Sequence, residues 1–88
     1  MKIKADFYMK EVAGLNVVVA TGDTAENMNS MINLNETAAF LWRQLESDTT
    51  KEELIKKLTQ EYDVDYERAS TSVDNFIKKL DEIGCISF

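Results

Sequence analysis

Oxygen-bearing side chains alternate at Asp63, Asp65 and Glu67, a spacing typical of the start of a calcium-binding loop. However, Arg68 stands where such a loop needs its glycine. Asp65 is better suited to cap a helix that begins at the next residue, because its carboxylate can accept hydrogen bonds from the free N–H groups of the first turn. The sequence therefore favours a helix start over a metal site, and we expect neither a metal nor a cofactor.

Nucleophilic and acid–base chemistry have little support in this chain. The sequence contains no histidine, which excludes Cys–His and Ser–His catalysis and imidazole-bound zinc. The one cysteine, Cys85, follows a glycine near the end of the sequence and is typical of a small buried hydrophobic residue. The three glycines, Gly14, Gly22 and Gly84, are too scattered to form a phosphate-binding loop. We therefore expect a protein that is not an enzyme.

Composition indicates a small globular protein. The 88 residues are enough for one domain, which we place at 1–88. The net charge of −6 opposes nonspecific binding to nucleic acid or to anionic membrane, since both need clustered cations. The lone cysteine and the absence of a signal-like or membrane-spanning apolar run favour the cytoplasm.

Three short strands are predicted in the first third of the chain. Residues 7–12 alternate imperfectly, residues 13–16 form a turn that contains Gly14, and the β-branched segment 17–20 completes a hairpin. A polar connection at 21–30 leads to a third strand at 31–34. This connection fits a solvated loop and a second contact surface equally well. Within the third strand, Ile32 and Leu34 share the face that we expect to pack on the core.

Three helices should follow these strands. Asn35 is predicted to cap the first (36–46), Thr50 the second and Asp65 the third, which ends at Gly84. The apolar positions expected to be buried recur at helical spacing and are Ala38, Leu41, Trp42, Leu45, Leu54, Ile55, Leu58, Tyr62, Tyr66, Ala69, Val73, Phe76, Leu80 and Ile83. Residues 85–88 fit a strand or a flap over the core. This order predicts an α+β, winged-helix-like fold with a three-stranded antiparallel sheet packed on three helices.

A second row of side chains follows the third helix beside its apolar stripe. It consists of Arg68, Ser72, Asn75 and Lys79, which recur at three- and four-residue steps. Two cations and two hydrogen-bonding groups on one face can contact a polar ligand. The plainer interpretation of such a row is a solvated helix face.

Several segments of the chain resemble the pyrroloquinoline-quinone biosynthesis protein D (PqqD) family. They are Phe-Tyr-Met-Lys-Glu-Val-Ala-Gly at 7–14, Ile-Asn-Leu-Asn-Glu-Thr-Ala-Ala-Phe-Leu-Trp at 32–42, Glu-Tyr-Asp-Val-Asp at 61–65 and Phe-Ile-Lys-Lys-Leu at 76–80. The run at 34–42 is the strongest of these. The segments occur in the family's order and span about 7–83.

The resemblance implies a peptide recognition element from the biosynthesis of ribosomally made, modified peptides. Such domains are adaptors that bind the leader of a precursor peptide and deliver it to a modifying enzyme, often a radical S-adenosylmethionine enzyme. The leader adds as a strand to the open edge of the third strand, beside the third helix. In this sequence the implied peptide-binding residues are Met31, Ile32, Asn33, Leu34, Arg68, Ser72, Asn75, Phe76 and Lys79.

Two other readings stay open at this point. Winged helices often bind DNA through a helix in the major groove, although the third helix mixes acidic and basic residues and lacks a basic face. A regulatory domain that only contacts another protein would have the same composition. The open strand edge could also pair with a second copy of the chain, which predicts a possible homodimer.

Overall fold

The computed structural model describes residues 1–22 and 32–88. Most of the predicted connection at 21–30, and Met31, therefore lie outside the described residues. The elements in chain order are β1 (Lys2–Ile3), β2 (Phe7–Val12), β3 (Leu15–Ala20), β4 (Ile32–Leu34), α1 (Glu36–Leu45), α2 (Lys51–Glu61), α3 (Tyr66–Ile83) and β5 (Ile86–Ser87). The predicted α+β fold is confirmed, since β2, β3 and β4 form a three-stranded antiparallel sheet beside three helices in this part of the chain.

The β2–β3 hairpin has a tighter turn than the sequence predicted. Val12 pairs with Leu15, so only Ala13 and Gly14 form the loop, and the predicted turn residues Leu15 and Asn16 belong to β3. Both loop residues have positive φ, at 53° and 81° respectively. This is the two-residue primed turn whose twist matches the strands, and it places a strained alanine where asparagine or glycine is usual.

A single residue joins β4 to α1. The Asn35 side chain accepts a hydrogen bond of 2.8 Å from the Ala38 N–H, as expected of a helix cap. Since Leu34 is buried and Ile32 is packed against the core, this short connection holds the strand beside the helix. The predicted inward face of β4 is confirmed.

The other predicted caps are also confirmed. Thr50 Oγ1 accepts from Glu53 N–H at 3.2 Å, and Asp65 Oδ1 accepts from Arg68 N–H at 2.8 Å. Asp65 therefore caps a helix, as its position favoured. Gly84 ends α3 in the left-handed conformation, with φ of 85°.

The core lies between the inner face of the sheet and the three helices. Its largest fully buried side chain is Trp42, and Val18, Leu41, Leu58 and Leu80 belong to the same cluster. Most predicted core positions are confirmed. The predicted burial of Tyr66 is wrong, since this side chain is 67% exposed. Tyr66 is the first residue of α3, and the apolar stripe reaches the core only from the next turn onward.

Residues 2–3 and 86–87 form a second sheet, whereas the sequence predicted either a strand or a flap at 85–88. Strand β1 pairs antiparallel with β5, with Ile3 opposite Ile86. Both isoleucines belong to the core cluster, so the tail at 85–88 is a strand that covers the core. Two-residue strands carry too little pattern to be recognised before their pairing is known.

Candidate functional site

A groove of about 710 Å³ lies between the sheet and α3. One side is formed by the end of β4, and the other by the exposed side of α3. Residues from the first turns of α1 lie between them. The groove is lined by Leu15, Asn33, Leu34, Asn35, Thr37, Ala38, Leu41, Ser72, Asn75, Phe76 and Lys79.

The floor and the rim of the groove differ in polarity. Leu34, Leu41 and Phe76 contribute apolar atoms, although each side chain is at most 7% exposed. The exposed residues around them are mainly polar, with Asn33 on the strand and Ser72 on the helix. An apolar floor with a few hydrogen-bonding groups at the rim is the usual character of a binding site.

Among the described residues β4 is an unpaired edge of the sheet, and its backbone presents one residue outward there. Thr21 N–H donates to the Asp6 carbonyl at 2.8 Å, so these two residues form a hydrogen-bonded pair. Because such pairs alternate along an antiparallel ladder, the odd-numbered residues of β3 direct their N–H and C=O groups toward β2. The even-numbered residues therefore face β4, and Ile32 and Leu34 pair with Val18 and Asn16. It follows that the N–H and C=O of Asn33 point away from the sheet.

The groove carries positive charge in an acidic protein. Lys79 is the charged side chain in the lining, whereas the chain as a whole has a net charge of −6. Ion pairs among the described residues join the terminal ammonium to Asp48 and Lys51 to Asp74. Lys79 takes part in neither, so its ammonium is available to a ligand.

Not every predicted site residue reaches this groove. Asn33, Leu34, Ser72, Asn75, Phe76 and Lys79 line it together. Arg68 instead lines a neighbouring depression, which shares Ser72 with the groove. Ile32 is packed against the core behind the strand, and Met31 lies outside the described residues.

Four lining residues in and just before α1 were not among the predicted site residues. Asn35, Thr37, Ala38 and Leu41 lie in the 34–42 run, whose apolar spacing pointed to a core-facing helix. Their closeness to β4 in the sequence could have placed them in the site. A helix that follows a strand after one residue must keep its first turn beside that strand.

The Cys85 thiol has the properties of a core group. It is fully buried and its Sγ donates to the Leu80 carbonyl at 3.6 Å. Burial raises the pKa of this thiol to about 11, so the neutral form dominates at physiological pH. A protonated, inaccessible thiol is a poor nucleophile.

These features define a small α+β domain in which the described residues leave the β4 edge unpaired beside a groove that α3 borders. The model of the family described as coenzyme PQQ synthesis protein D (PqqD) matches residues 17–86, more than half of the sequence. The chain belongs to the PqqD family.

Comparison with solved structures supports the fold. A structure described as TbiB1 in complex with the TbiA(beta) leader peptide is similar, with a TM-score of 0.75. The two sequences are 20% identical, and the match covers 93% of this chain and 90% of that chain. Comparison with curated proteins gives no significant match. Within residues 1–22 and 32–88, no helix is long and apolar enough to cross a membrane.

Proposed function

We propose that this protein binds the leader of a ribosomally made precursor peptide in the groove between β4 and α3. The observation that carries the proposal is the outward-facing backbone of Asn33 beside an apolar groove. Membership of the PqqD family supports it, as does the fold shared with a protein that was solved with a leader peptide bound. An extended peptide gains backbone hydrogen bonds at such an edge whatever its side chains are.

Backbone pairing alone gives little affinity at this site. The described part of β4 is three residues long, and only Asn33 directs its N–H and C=O outward. Two hydrogen bonds at about 1 kcal/mol each are far from the roughly 8 kcal/mol that a micromolar complex requires. Most of the affinity must come from leader side chains that enter the groove.

The lining indicates which side chains those are. Alternate residues of an extended peptide point to the same side, so every second leader residue faces the floor formed by Leu34, Leu41 and Phe76. Apolar leader residues fit there. The rim amides and hydroxyl suit hydrogen bonds, with Ser72 and Asn75 on the helix side.

Two cations extend this recognition along α3. Arg68 and Lys79 are eleven residues apart, which corresponds to about 16 Å along a helix. A strand of about five residues covers the same distance. We infer that acidic leader residues near both ends of the bound segment contact Arg68 and Lys79, while the segment between them fills the groove.

In this proposal the protein is an adaptor, with residues 1–88 as one peptide-recognition domain in the cytoplasm. It holds the leader while a partner enzyme modifies the rest of the precursor. A radical S-adenosylmethionine enzyme is the partner we propose. The gain comes from the raised effective concentration of the tethered substrate. Ile32 belongs to the proposed site because its pairing with Val18 holds β4 on the sheet. Met31 lies outside the described residues and stays a predicted peptide-binding residue.

Calorimetric titration with the leader encoded by a neighbouring precursor gene tests the proposal. The matched control is a scrambled leader of the same composition, and a duplex DNA fragment tests the winged-helix alternative. We expect saturable one-to-one binding of the leader and much weaker binding of the scrambled peptide. Equal binding of both peptides, or salt-sensitive binding of the DNA alone, overturns the proposal.

A further inference from the structure

The opposite edge of the three-stranded sheet is also unpaired among the described residues, and its strand has six residues against three in the described part of β4. Strand β2 lies at the edge of the order β2-β3-β4. Its even-numbered residues face β3, so Phe7, Met9 and Glu11 direct their backbone groups outward. The Phe7 N–H is bonded to the Lys4 carbonyl at 3.2 Å. Two N–H groups and three carbonyls therefore lack a partner among the described residues.

Space for a partner strand exists beside this edge. A groove of about 530 Å³ follows the first half of β2, with Ile3 and Trp42 in its lining. Lys2, Lys4 and Glu46 also line it, so its charge is mixed with an excess of cations. A side chain opposite Met9 on the inner face of the sheet would enter this groove.

The outer face of β2 carries a lysine between two exposed apolar side chains. Tyr8, Lys10 and Val12 alternate with the inward residues, and Tyr8 and Val12 are 45% and 40% exposed. In a paired strand, side chains directly opposite one another contact. The complement of Tyr8-x-Lys10-x-Val12 is an acidic residue with an apolar residue two positions away on each side. This complement is the same for parallel and antiparallel pairing, because it reads identically in both directions.

A second copy of the chain supplies no acidic residue opposite Lys10 when two β2 strands pair antiparallel edge to edge. If two β2 strands pair antiparallel so that Tyr8 of each faces Val12 of the other, Lys10 lies directly opposite Lys10. Like charges in that position are destabilising. In the neighbouring registers of the same pairing Lys10 faces Tyr8 or Val12 instead. No register within β2 places a carboxylate opposite Lys10, so a segment of another protein that does so complements this edge better.

We propose that the open edge of β2 binds an extended segment of a partner protein with the pattern apolar-x-acidic-x-apolar, the acidic residue opposite Lys10. Strands β2 and β4 are the two edges of the same sheet, with β3 between them, so this partner and a peptide on β4 can be bound together. The interaction does not depend on occupancy of the β4 groove.

Nuclear magnetic resonance titration of the full chain tests this proposal residue by residue. The probe is a synthetic peptide with a Val-Thr-Glu-Thr-Val core, and the matched control has Lys in place of Glu. We expect the Glu peptide to shift the amide signals of Met9, Lys10 and Glu11 and to bind roughly fivefold more tightly than the Lys peptide. Lys10→Glu should reverse that preference, while Lys57→Glu, an exposed change on α2, should preserve it.

Other outcomes overturn the proposal. If neither peptide shifts Met9 or Glu11 at millimolar concentration, the lysines near the edge serve only to protect it from pairing. If only Asn33 shifts, the peptide uses the β4 edge. If the Met9 signal moves with protein concentration and no peptide, β2 pairs with a second copy. Failure of any leader to bind at Asn33 affects the proposed function and leaves this test intact.

Discussion

Replacing Asn33 with proline should weaken leader binding while leaving the protein folded. The Asn33 N–H points away from β3, so its loss removes no hydrogen bond within the sheet. Proline is tolerated on edge strands for this reason. The matched variant is Ile32→Pro, because the Ile32 N–H faces Val18 in the ladder and its loss removes a sheet hydrogen bond.

The expected size of the effect follows from the hydrogen bonds involved. Asn33→Pro removes one bond to the leader, worth about 1 kcal/mol, and leaves a leader carbonyl without a donor, which costs about 1–3 kcal/mol where it is buried. The total of roughly 2–4 kcal/mol corresponds to about a 30- to 700-fold increase in the Kd. Ile32→Pro should lower the free energy of unfolding by about 1–3 kcal/mol, because the lost ladder bond leaves a carbonyl of the sheet without its donor.

Calorimetry with the leader gives the first quantity and urea unfolding gives the second. An ester in place of the Asn33 amide removes the same N–H without fixing φ, so it separates the lost donor from proline strain. If both Asn33 variants stay folded and bind the leader with the wild-type Kd, the reasoning about the strand edge is refuted.

Three further predictions concern single residues. Lys79→Glu should weaken binding of an acidic leader by about 3- to 10-fold and reduce its salt dependence, whereas Lys78→Glu, outside the groove lining, should leave the Kd unchanged in the same titration. Ala13→Asn should raise the free energy of unfolding by about 0.5–1 kcal/mol, measured by urea unfolding, because asparagine tolerates the φ of 53° better than alanine; a fall in stability would contradict the turn assignment. Burial raises the pKa of the Cys85 thiol from its usual 9.0 to about 11, so the folded state favours the neutral thiol. Its contribution to stability is therefore full below about pH 9 and is lost as the pH rises toward 11. Urea unfolding across that range should show the wild type losing stability relative to Cys85→Ala, and a constant difference would contradict a buried neutral thiol.

The helices were predictable because each carries both a cap and a periodic apolar face. Asn35, Thr50 and Asp65 each accept a hydrogen bond from the N–H three residues later, as their types and positions indicated. Local chemistry of this kind does not depend on the rest of the fold. Burial at the ends of the helices was harder to predict, as Tyr66 shows. Periodicity gives the direction of a side chain but not how far the core extends along the helix.

The sheet and the groove depend on contacts between distant segments. The β1–β5 pair joins Lys2 to Ser87. The local pattern of a two-residue strand does not predict a partner so far away in the sequence. The groove combines the start of β3 with α1 and α3, so Leu15 and Ala38 became site residues only once those elements were placed together. The helix row from Ser72 to Lys79 was predictable from spacing, whereas the separation of Arg68 from the groove was not.

Hydrogen exchange at the backbone amides of β4 tests the central claim most directly. In the free protein we expect the Ile32 amide to be protected by its pairing with β3 and the Asn33 amide to exchange rapidly, since it faces outward. Adding a saturating amount of leader should slow exchange at Asn33 and change Ile32 little. A leader that binds without protecting Asn33, and instead protects the amides of Met9 and Glu11, would contradict strand addition at β4.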